Sequence, residues 1–251
     1  MEGPSHYQVE AMIDLLGSAR GVDKLYRFVG YSLNTFRQIL TLFRKTRHLE
    51  FLDHIAQIES TLSNVRRVFR FFQPYVYLRD FFLKFSLPQQ NRIQRLNLFS
   101  NITGACCYML DHIIWLIKVK MLKTSPRFYS AVNFFIGIFW LGGLLISLVS
   151  DGWRLSENIN YTRNLDEFNP QDHPDHKELL KKLERDNELT VENMLRNIFD
   201  APLCLSMLKP SAFENYDLYL VFCSAISSLI GLIQALRSLM ESKMTKPKTE
   251  Q

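Results

Sequence analysis

The sequence predicts an all-α, membrane-associated protein, and three observations support that fold class. Glycine and proline are sparse, with 10 and 9 among 251 residues, and the alternation of apolar and polar residues that marks strands is scarce. Apolar residues in the first half recur every three or four positions, which is helical spacing. Two uncharged apolar stretches are each long enough to be considered as bilayer-crossing helices. We therefore predict amphipathic amino-terminal helices followed by two transmembrane helices.

The two apolar stretches divide the charged residues into blocks of alternating sign. Residues 1–127 hold 18 Lys and Arg against 9 Asp and Glu, residues 151–217 hold 8 against 14, and residues 237–251 hold 4 against 2. The net charge of +5 therefore conceals blocks of +9, −6 and +2. We predict five regions: a cytosolic basic amphipathic helical region (1–127), a transmembrane helix (128–150), an acidic, partly helical loop (151–217), a second transmembrane helix (218–236) and a short basic cytosolic tail (237–251).

The clearest amphipathic pattern in the first region runs from Ile55 to Phe72. Its apolar residues follow one another at intervals of 3, 4, 3, 4 and 3, so they form one stripe of a helix that Pro74 ends. Arginines lie on the opposite side and at its flank. This helix either packs in a bundle or lies in a membrane interface, with aromatic rings among acyl chains and arginines on anionic headgroups. The candidate membrane-binding residues are Ile58, Leu62, Val65, Arg66, Arg67, Phe69, Arg70 and Phe72.

Two further segments of this region bear on the membrane. Residues 75–85, YVYLRDFFLKF, have the aromatic density that suits a membrane interface. Residues 96–118 are apolar but carry Asp111 and His112 near the middle. Because a carboxylate deep in lipid is costly, we predict that this helix lies at the surface or packs on the spans and does not form a third crossing.

The two predicted spans differ in character. Residues 128–150 are uncharged and aromatic, and a helix of this length crosses a hydrocarbon core of roughly 30 Å. Residues 218–236 are less apolar, and a core helix remains the alternative. This second span carries small residues four apart, a spacing that lets helices approach closely. The predicted helix-packing residues are Ser224, Ser227, Ser228 and Gly231.

The distribution of Lys and Arg near the spans predicts their orientation. Basic residues precede the first span, among them Lys118, Lys123 and Arg127, and others such as Arg237 and Lys243 follow the second. Because basic flanks are retained in the cytosol, we expect both termini there and residues 151–217 in the lumen.

No motif for catalysis or metal binding stands out. His173 and His176 lie in an acidic DHPDH run without a third ligand at firm spacing, and the four cysteines form no CxxC pair. Glycine-rich phosphate loops and the GxSxG elbow are missing. We therefore expect no enzyme, no cofactor and no metal. The basic residues lie beside strong apolar spans, so anionic lipid explains them better than nucleic acid does.

The order of the elements resembles a known family. GVDKLYRFVGYSL (21–33) and QIESTLSNVRRVFRFF (57–72) are followed by the Asp111 segment, an apolar span, a charged loop, ENMLRNIFDAPLCL (192–205) and SSLIGLIQAL (227–236). This order is similar to that of the peroxisomal membrane protein 11 family, the peroxin-11 proteins that elongate and divide peroxisomes. The loop here is acidic, whereas it is glycine-rich in some members.

The resemblance implies a peroxisomal membrane protein with cytosolic termini. It would self-associate, and associate with related family members, while its amphipathic helix, residues 55–72 here, inserts into the cytosolic leaflet. Insertion and oligomerisation would tubulate the membrane and so promote peroxisome fission and proliferation. The family is also implied to recruit a dynamin-type GTPase through fission adaptors. Two alternatives stay open: a channel component passing small metabolites, with Asp111, His112 or Gln234 toward water, and a passive docking platform for fission factors.

Overall fold

The computed structural model describes residues 4–43, 49–85, 91–166 and 176–245, and within these ranges every regular element is a helix. The all-α prediction is confirmed. The elements are α1 (Pro4–Gly17), α2 (Ala19–Phe43), α3 (Leu49–Phe69), α4 (Gln73–Phe85), α5 (Arg92–Lys118), α6 (Pro126–Asp166), α7 (His176–Leu208), a single 3-10 turn (Pro210–Ala212) and α8 (Asp217–Thr245).

The 41-residue helix α6 is the longest element, and α5 and α7 pack along it in antiparallel directions. Near one end of the α5 contact, Ile114 of α5 is buried against Val132 and Ile136 of α6. Near the other end, Ser150 Oγ donates to Asn97 Oδ1 over 3.0 Å. These two contacts fix the register, so the Asp111 segment packs beside α6 as predicted.

The register of α7 on α6 is fixed in the same way by polar pairs. Asn197 Nδ2 donates to Ser147 Oγ over 2.9 Å, and Asn158 Nδ2 donates to Asn187 Oδ1 over 2.9 Å. Further along, the side chains of Met207 and Leu208 come so close to Gly137 that a Cβ there would meet them at 3.1 and 3.0 Å. The carboxyl-terminal part of α7 therefore runs back beside the most apolar half of α6.

Helix α8 packs against α1, α2 and α7. The connection between α1 and α2 is tight: Ser18 Oγ donates to the Leu15 carbonyl and accepts from the Gly21 amide, at 3.1 and 3.0 Å. A Cβ on Gly21 would lie 2.1 Å from the Leu15 carbonyl oxygen, so only glycine fits this position without a shift of the backbone. The turn seats Leu15, whose side chain is fully buried.

Two helices, over Pro126–Asn164 and Asp217–Ser242, are long and apolar enough to cross a membrane. Only 22% of the most apolar window of the first, and 33% of that of the second, is buried inside the chain. A core helix of a soluble protein would bury most of that surface, so these fractions favour lipid-facing helices. The helices extend beyond the predicted spans, because polar residues at their ends continue the helix and pair with α7.

Helix α3 ends earlier than the sequence predicts. It stops at Phe69, residues 70–72 form a turn, and Pro74 lies in the first turn of α4 instead of ending α3. Proline is well tolerated there because the first amides of a helix have no intrahelical acceptor. Phe72 therefore lies in the connection between two helices and not on the stripe of one.

Candidate functional site

The three arginines predicted to meet lipid headgroups face the interior of the bundle. Arg66 Nε and Arg70 Nε each lie 3.2 Å from Asp23 Oδ1 on α2. Arg67 Nε donates to Asp111 Oδ1 on α5 over 2.9 Å, and Arg70 Nη2 lies 3.6 Å from Asp111 Oδ2. Two carboxylates thus serve three guanidinium groups. These contacts hold the end of α3 against α2 and α5.

The apolar residues predicted for membrane insertion divide into two groups. Ile58, Phe69 and Phe72 are 50%, 38% and 75% exposed. Leu62 and Val65 are half-buried. The exposed part of the stripe therefore lies at its ends, and it is largest at the corner where α3 passes into α4. Membrane binding by these residues stays a prediction.

That corner continues into an exposed aromatic surface on α4. None of the α4 residues is buried, and the helix contacts the bundle through Tyr77, whose ring stacks on Tyr108 of α5 with centroids 5.7 Å apart. Large apolar side chains on either side of this contact face outward. We call this exposed set the aromatic rim: Phe69, Phe71, Phe72, Tyr75, Phe82, Leu83 and Phe85.

A second ion pair connects α2 with α7. Arg27 Nη2 donates to Asp200 Oδ1 over 2.5 Å, and its guanidinium lies 5.8 Å from the ring centroid of Tyr31. Burial by itself lowers the pKa of Arg27, but the Asp200 carboxylate, with a further contribution from Tyr31, outweighs it, so the pKa is raised. Asp200 is only 4% exposed, whereas the Arg27 side chain is partly exposed.

The charged side chains converge on a cavity of about 500 Å³ enclosed by helices α2 to α7. We call it the charged cavity. Its aromatic lining includes Tyr31, Tyr77, Tyr108 and Trp140. Its basic lining residues are Arg27, Arg66, Arg67, Arg70, Lys118 and Arg196, and the acidic residue among its lining is Asp111. The sequence did not predict this cavity: Arg27 was expected only among the basic residues around the helical pattern of residues 22–45, and Arg196 only as part of the family-like block 192–205.

The positive charges of two arginines, Arg196 and Arg66, are only weakly offset by nearby carboxylates, and the pKa of each is lowered. Arg196 Nη1 donates to Gln234 Oε1 over 3.1 Å, and among the described residues no carboxylate lies within ion-pair distance of it. Burial lowers the pKa of Arg196, and the nearby Arg27 adds to this against the pull of Asp200. The pKa of Arg66 is also lowered, by burial first and then by the adjacent Arg70.

The residues considered for a water-facing path are held by neighbours. Asp111 is paired as described above. The ring of His112 packs edge-on against Phe71 with centroids 5.0 Å apart. Gln234 accepts from Arg196 and donates to Asn193 Oδ1 over 3.2 Å. Only Asp111 of these three lines the charged cavity.

The predicted packing residues of α8 are used inside the chain. The four small residues are all buried. Ser224 and Ser228 donate to carbonyls one turn earlier, over 2.9 and 2.6 Å, which satisfies both hydroxyls. A Cβ on Gly231 would lie 3.7 Å from the Arg196 side chain of α7. Contact between copies through this face stays a prediction. The packing residues are Ser224, Ser227, Ser228 and Gly231.

Two ion pairs join segments that the charge pattern assigns to opposite sides of a membrane. Arg27 pairs with Asp200, and Arg237 Nη1 lies 2.8 Å from Glu192 Oε1. An ion pair needs contact within about 4 Å, whereas a hydrocarbon core is about 30 Å thick. In this structure, residues 192–200 are therefore not separated from α2 and from the tail by a bilayer. Which side the termini occupy stays a prediction.

No group of three His, Cys, Asp or Glu side chains within the described ranges could hold a metal ion. His173 lies outside those ranges. Cys107 lines the charged cavity, and burial, with a smaller contribution from Asp111, raises the pKa of its thiol to about 12. This thiol is therefore protonated at neutral pH and is a poor nucleophile or ligand.

One comparison with known proteins identifies the family. The model of the family described as Peroxisomal biogenesis factor 11 matches residues 9–236, which is most of the chain. Neither a curated protein nor a solved structure gives a significant match. The matched range contains the charged cavity, the aromatic rim, the first membrane-span candidate and residues 217–236 of the second. The chain therefore belongs to the peroxisomal biogenesis factor 11 (PEX11) family.

Proposed function

We propose that this peroxisomal membrane protein, whose family acts in peroxisome biogenesis and proliferation, tubulates the membrane by inserting the aromatic rim into the cytosolic leaflet. This proposal rests on the exposure of six aromatic side chains between Phe69 and Phe85, where α3 passes into α4. Aromatic side chains are favoured at bilayer interfaces. A soluble protein seldom exposes an apolar patch of this kind without a partner surface.

The physical step is asymmetric expansion of one leaflet. Moving an apolar side chain from water into lipid stabilises the bound state by roughly 1.5–3 kcal/mol when the side chain is fully buried. Several rim residues acting together therefore make insertion favourable. Because the rim is shallow, its volume enters one leaflet only, and the membrane bends away from that side.

In this proposal the arginines of α3 have a different task from the one the sequence suggested. Arg66, Arg67 and Arg70 are engaged with Asp23 and Asp111, so they anchor the rim to the bundle. Because the rim is fixed to the bundle, its insertion also fixes how the bundle is oriented on the membrane. Headgroup contacts then fall to exposed cations such as Arg79, whose side chain is 54% exposed.

Liposome tubulation by the full chain tests this function. The triple variant Phe72→Ser, Phe82→Ser and Phe85→Ser removes three exposed rim side chains. We expect nearly complete loss of tubules, because each substitution removes up to roughly 1.5–3 kcal/mol of insertion energy and about 1.4 kcal/mol is a tenfold change in membrane partitioning. The matched control carries Ile13→Ser, Leu16→Ser and Phe51→Ser, which are exposed apolar residues outside the rim. Equal tubulation by the rim variant and the wild type in anionic vesicles sinks the proposal.

The proposal extends to assembly and partners. The protein would act as a non-enzymatic membrane factor that associates with copies of itself and with related family members. Tubules formed in this way would be cut by a dynamin-type GTPase that fission adaptors recruit. Cross-linking in peroxisomal membranes, followed by mass spectrometry, tests both contacts. Exclusive recovery of monomer would contradict self-association.

The charged cavity favours a second candidate function, a channel component for small metabolites. It places six basic residues beside α6, the longer membrane-span candidate. A pore built on it would prefer anions, because its walls carry excess positive charge. Planar-bilayer recording of the purified protein tests this function, with Lys118→Gln as the variant that alters the charge of the wall without breaking an ion pair seen among the described residues. Silent bilayers together with active tubulation would exclude it.

A further inference from the structure

The geometry points to a membrane bundle of four helices, α5 to α8, in place of the hairpin of two spans that the sequence predicts. In this bundle the carboxyl-terminal half of α7 returns the chain through the bilayer, and its outer face contacts lipid acyl chains. Such a bundle goes beyond the proposed function, because it concerns the path of the chain through the membrane and does not involve the aromatic rim.

Both predicted spans end beside the same point of α7. Ser147, close to the end of the first span, accepts a hydrogen bond from Asn197 over 2.9 Å. Gln234, close to the end of the second span, accepts one from Arg196 over 3.1 Å. The two spans were predicted separately, from different stretches of sequence, yet their ends meet neighbouring residues of α7. One surface of the bilayer therefore crosses α7 near residues 196 and 197.

Beyond this point α7 continues beside the apolar middle of α6. The side chains of Met207 and Leu208 lie against Gly137, where a Cβ would meet them at 3.1 and 3.0 Å. Gly137 is near the centre of the first predicted span, residues 128–150. The helix thus descends from the bilayer surface into its interior. The connection to α8 completes the pass, because α8 begins at Asp217, directly before the second predicted span.

The sequence of α7 changes character at the same place. The stretch KELLKKLERDNELTVE (177–192) contains nine charged residues, whereas NIFDAPLCLSML (197–208) contains one, Asp200. A lone carboxylate in the bilayer is costly, but Asp200 is paired with Arg27 and is shielded within the bundle. The first half of α7 therefore suits water, and the second half suits lipid.

The second half of α7 also directs its residues as a membrane helix does. Its large exposed apolar side chains recur at intervals of three and seven, which places them on one face. They are Leu195, Ile198 and Leu205. The opposite face is buried and includes the polar residues. Its buried residues are Asn197, Asp200 and Cys204. Lipid offers no hydrogen bonds, so a helix within it keeps polar groups inside and apolar groups outside.

Helix α5 follows the same stretch of α6. It is held between the Ile114 contact at one end and the Asn97 contact at the other, so it runs along most of the first predicted span. The sequence argued against a crossing here because of the carboxylate of Asp111. The pairing of Asp111 with Arg67 and Arg70 offsets that cost. Four helices therefore share the bilayer.

An even number of passes returns the chain to the side where it began. The helices before α5, residues 151–166 and 176–192, and the tail up to residue 245 then share one side of the membrane. The connections 119–125 and 209–216 lie on the other side. A hairpin of two spans would instead separate Glu192 from Arg237 by a bilayer, although their side chains are 2.8 Å apart.

Cysteine accessibility in intact peroxisomes tests this topology. Single cysteines are introduced in the full chain at four exposed positions, and a membrane-impermeant maleimide is added before or after permeabilisation. We expect the cysteines to react as two pairs, with one pair protected until the membrane is opened. The wild type, whose own cysteines are buried or half-buried, measures the background. The expected pairs are Ser156→Cys with Ser242→Cys, and Thr124→Cys with Asn215→Cys.

The pairing distinguishes the bundle from the hairpin. A hairpin of two spans pairs Ser156→Cys with Asn215→Cys, because both positions then lie in one loop. That pairing, or reaction of all four variants in intact organelles, would overturn the bundle. Pairing of Ser156→Cys with Ser242→Cys supports it, whichever pair faces the cytosol. Full reaction of every variant after permeabilisation is the control that each cysteine is reactive.

Photolabelling from the lipid tests the outer face of α7 directly. The wild-type protein is reconstituted in vesicles that contain a lipid with a photoreactive acyl chain, and labelled residues are located by mass spectrometry. We expect label on Ile198 and Leu205 as on the exposed Phe134 of α6. Ile159 is equally exposed but lies beyond the first predicted span, so it should stay unlabelled.

Label on Phe134 without label on the α7 face would overturn the return pass. The wild type and the four cysteine variants all keep the aromatic rim, so their tubulation of liposomes reports on the proposed function separately. A chain that fails to tubulate can still show the paired accessibility of a four-helix bundle. A chain that tubulates can likewise show the pairing of a hairpin.

Discussion

The aromatic rim and the charged cavity lie on opposite sides of the same corner, and they invert the usual arrangement of an amphipathic helix. On a soluble protein the arginines of α3 would face water and the phenylalanines would face the core. Here Arg66, Arg67 and Arg70 are enclosed, while Phe69 and Phe72 face outward. This arrangement is the one expected if lipid, and not water, surrounds the corner, which is the assumption of the proposed function.

The largest expected effect is a loss of stability when the ion pairs around the charged cavity are broken. Asp111→Leu leaves Arg67 and Arg70 short of one carboxylate, and breaking a buried charge network in this way typically costs about 3–5 kcal/mol. We expect a clear fall in the free energy of unfolding, measured by denaturant titration in micelles. The control is Asp80→Leu, since Asp80 pairs with the exposed Arg79 and such pairs contribute about 0–1 kcal/mol. Equal losses in the two variants would refute the distinction between enclosed and exposed charges.

The alkylation rate of Cys107 tests whether the charged cavity is enclosed. With its pKa raised to about 12, the Cys107 thiol holds far less thiolate at pH 8 than it does in the unfolded chain. We expect alkylation by iodoacetamide to be slower than in denaturant by about a thousandfold, because only the thiolate attacks. The rate should rise about tenfold per pH unit as the pH approaches the pKa. Peptide mass spectrometry follows the modification; a native rate close to the denatured rate would contradict an enclosed thiol.

A smaller effect is expected where α8 packs inside the chain. The Ser227 hydroxyl is buried and has no hydrogen-bond partner among the described residues. Ser227→Ala removes this unsatisfied group, so we expect unchanged stability or a gain of up to about 1 kcal/mol. Ser224→Ala, in contrast, deletes a hydroxyl bonded to the Leu220 carbonyl over 2.9 Å. Thermal unfolding of both variants checks the difference in sign.

The smallest effect on stability belongs to the rim. Phe72→Ser, Phe82→Ser and Phe85→Ser act on exposed side chains, so we expect the free energy of unfolding in micelles to change by about 0.5 kcal/mol or less per substitution. The same variant is expected to lose most of its tubulation. A large loss of stability would mean that the rim packs within the fold and does not face outward.

The sequence was sufficient for the fold class and for the positions of the apolar spans, because composition and length carry that information directly. The periodicity of residues 55–72 also identified a real helix. The periodicity could not show which face of this helix packs inward, because the sequence pattern is the same for a helix in water and for a helix at a lipid surface. Pro74 predicts the end of a helix, but it lies in the first turn of α4 and so belongs to the start of the next helix.

The charged cavity depended on contacts between distant segments. Arg27 meets Asp200 and Arg67 meets Asp111 only because distant helices pack together: α3 lies against α2 and α5, and α5 and α7 both lie against α6. No spacing within a segment encodes such pairs. The one available signal was Asp111, whose cost inside an apolar helix implied a partner, and the structure supplies Arg67 and Arg70. The same long-range pairs bring residues 192–200 beside α2, which a count of charges per loop cannot anticipate.

The length of α6 has a mechanical consequence. At 1.5 Å per residue, its 41 residues make a rod of about 60 Å, roughly twice the thickness of a hydrocarbon core. If α6 crosses the bilayer as predicted, about half of its length extends beyond the lipid, packed against α7. A tilt of about 10° at the bilayer then moves the far end by about 5 Å. A spectroscopic label on the exposed Tyr161 would therefore report the bending of the membrane from a position well outside it.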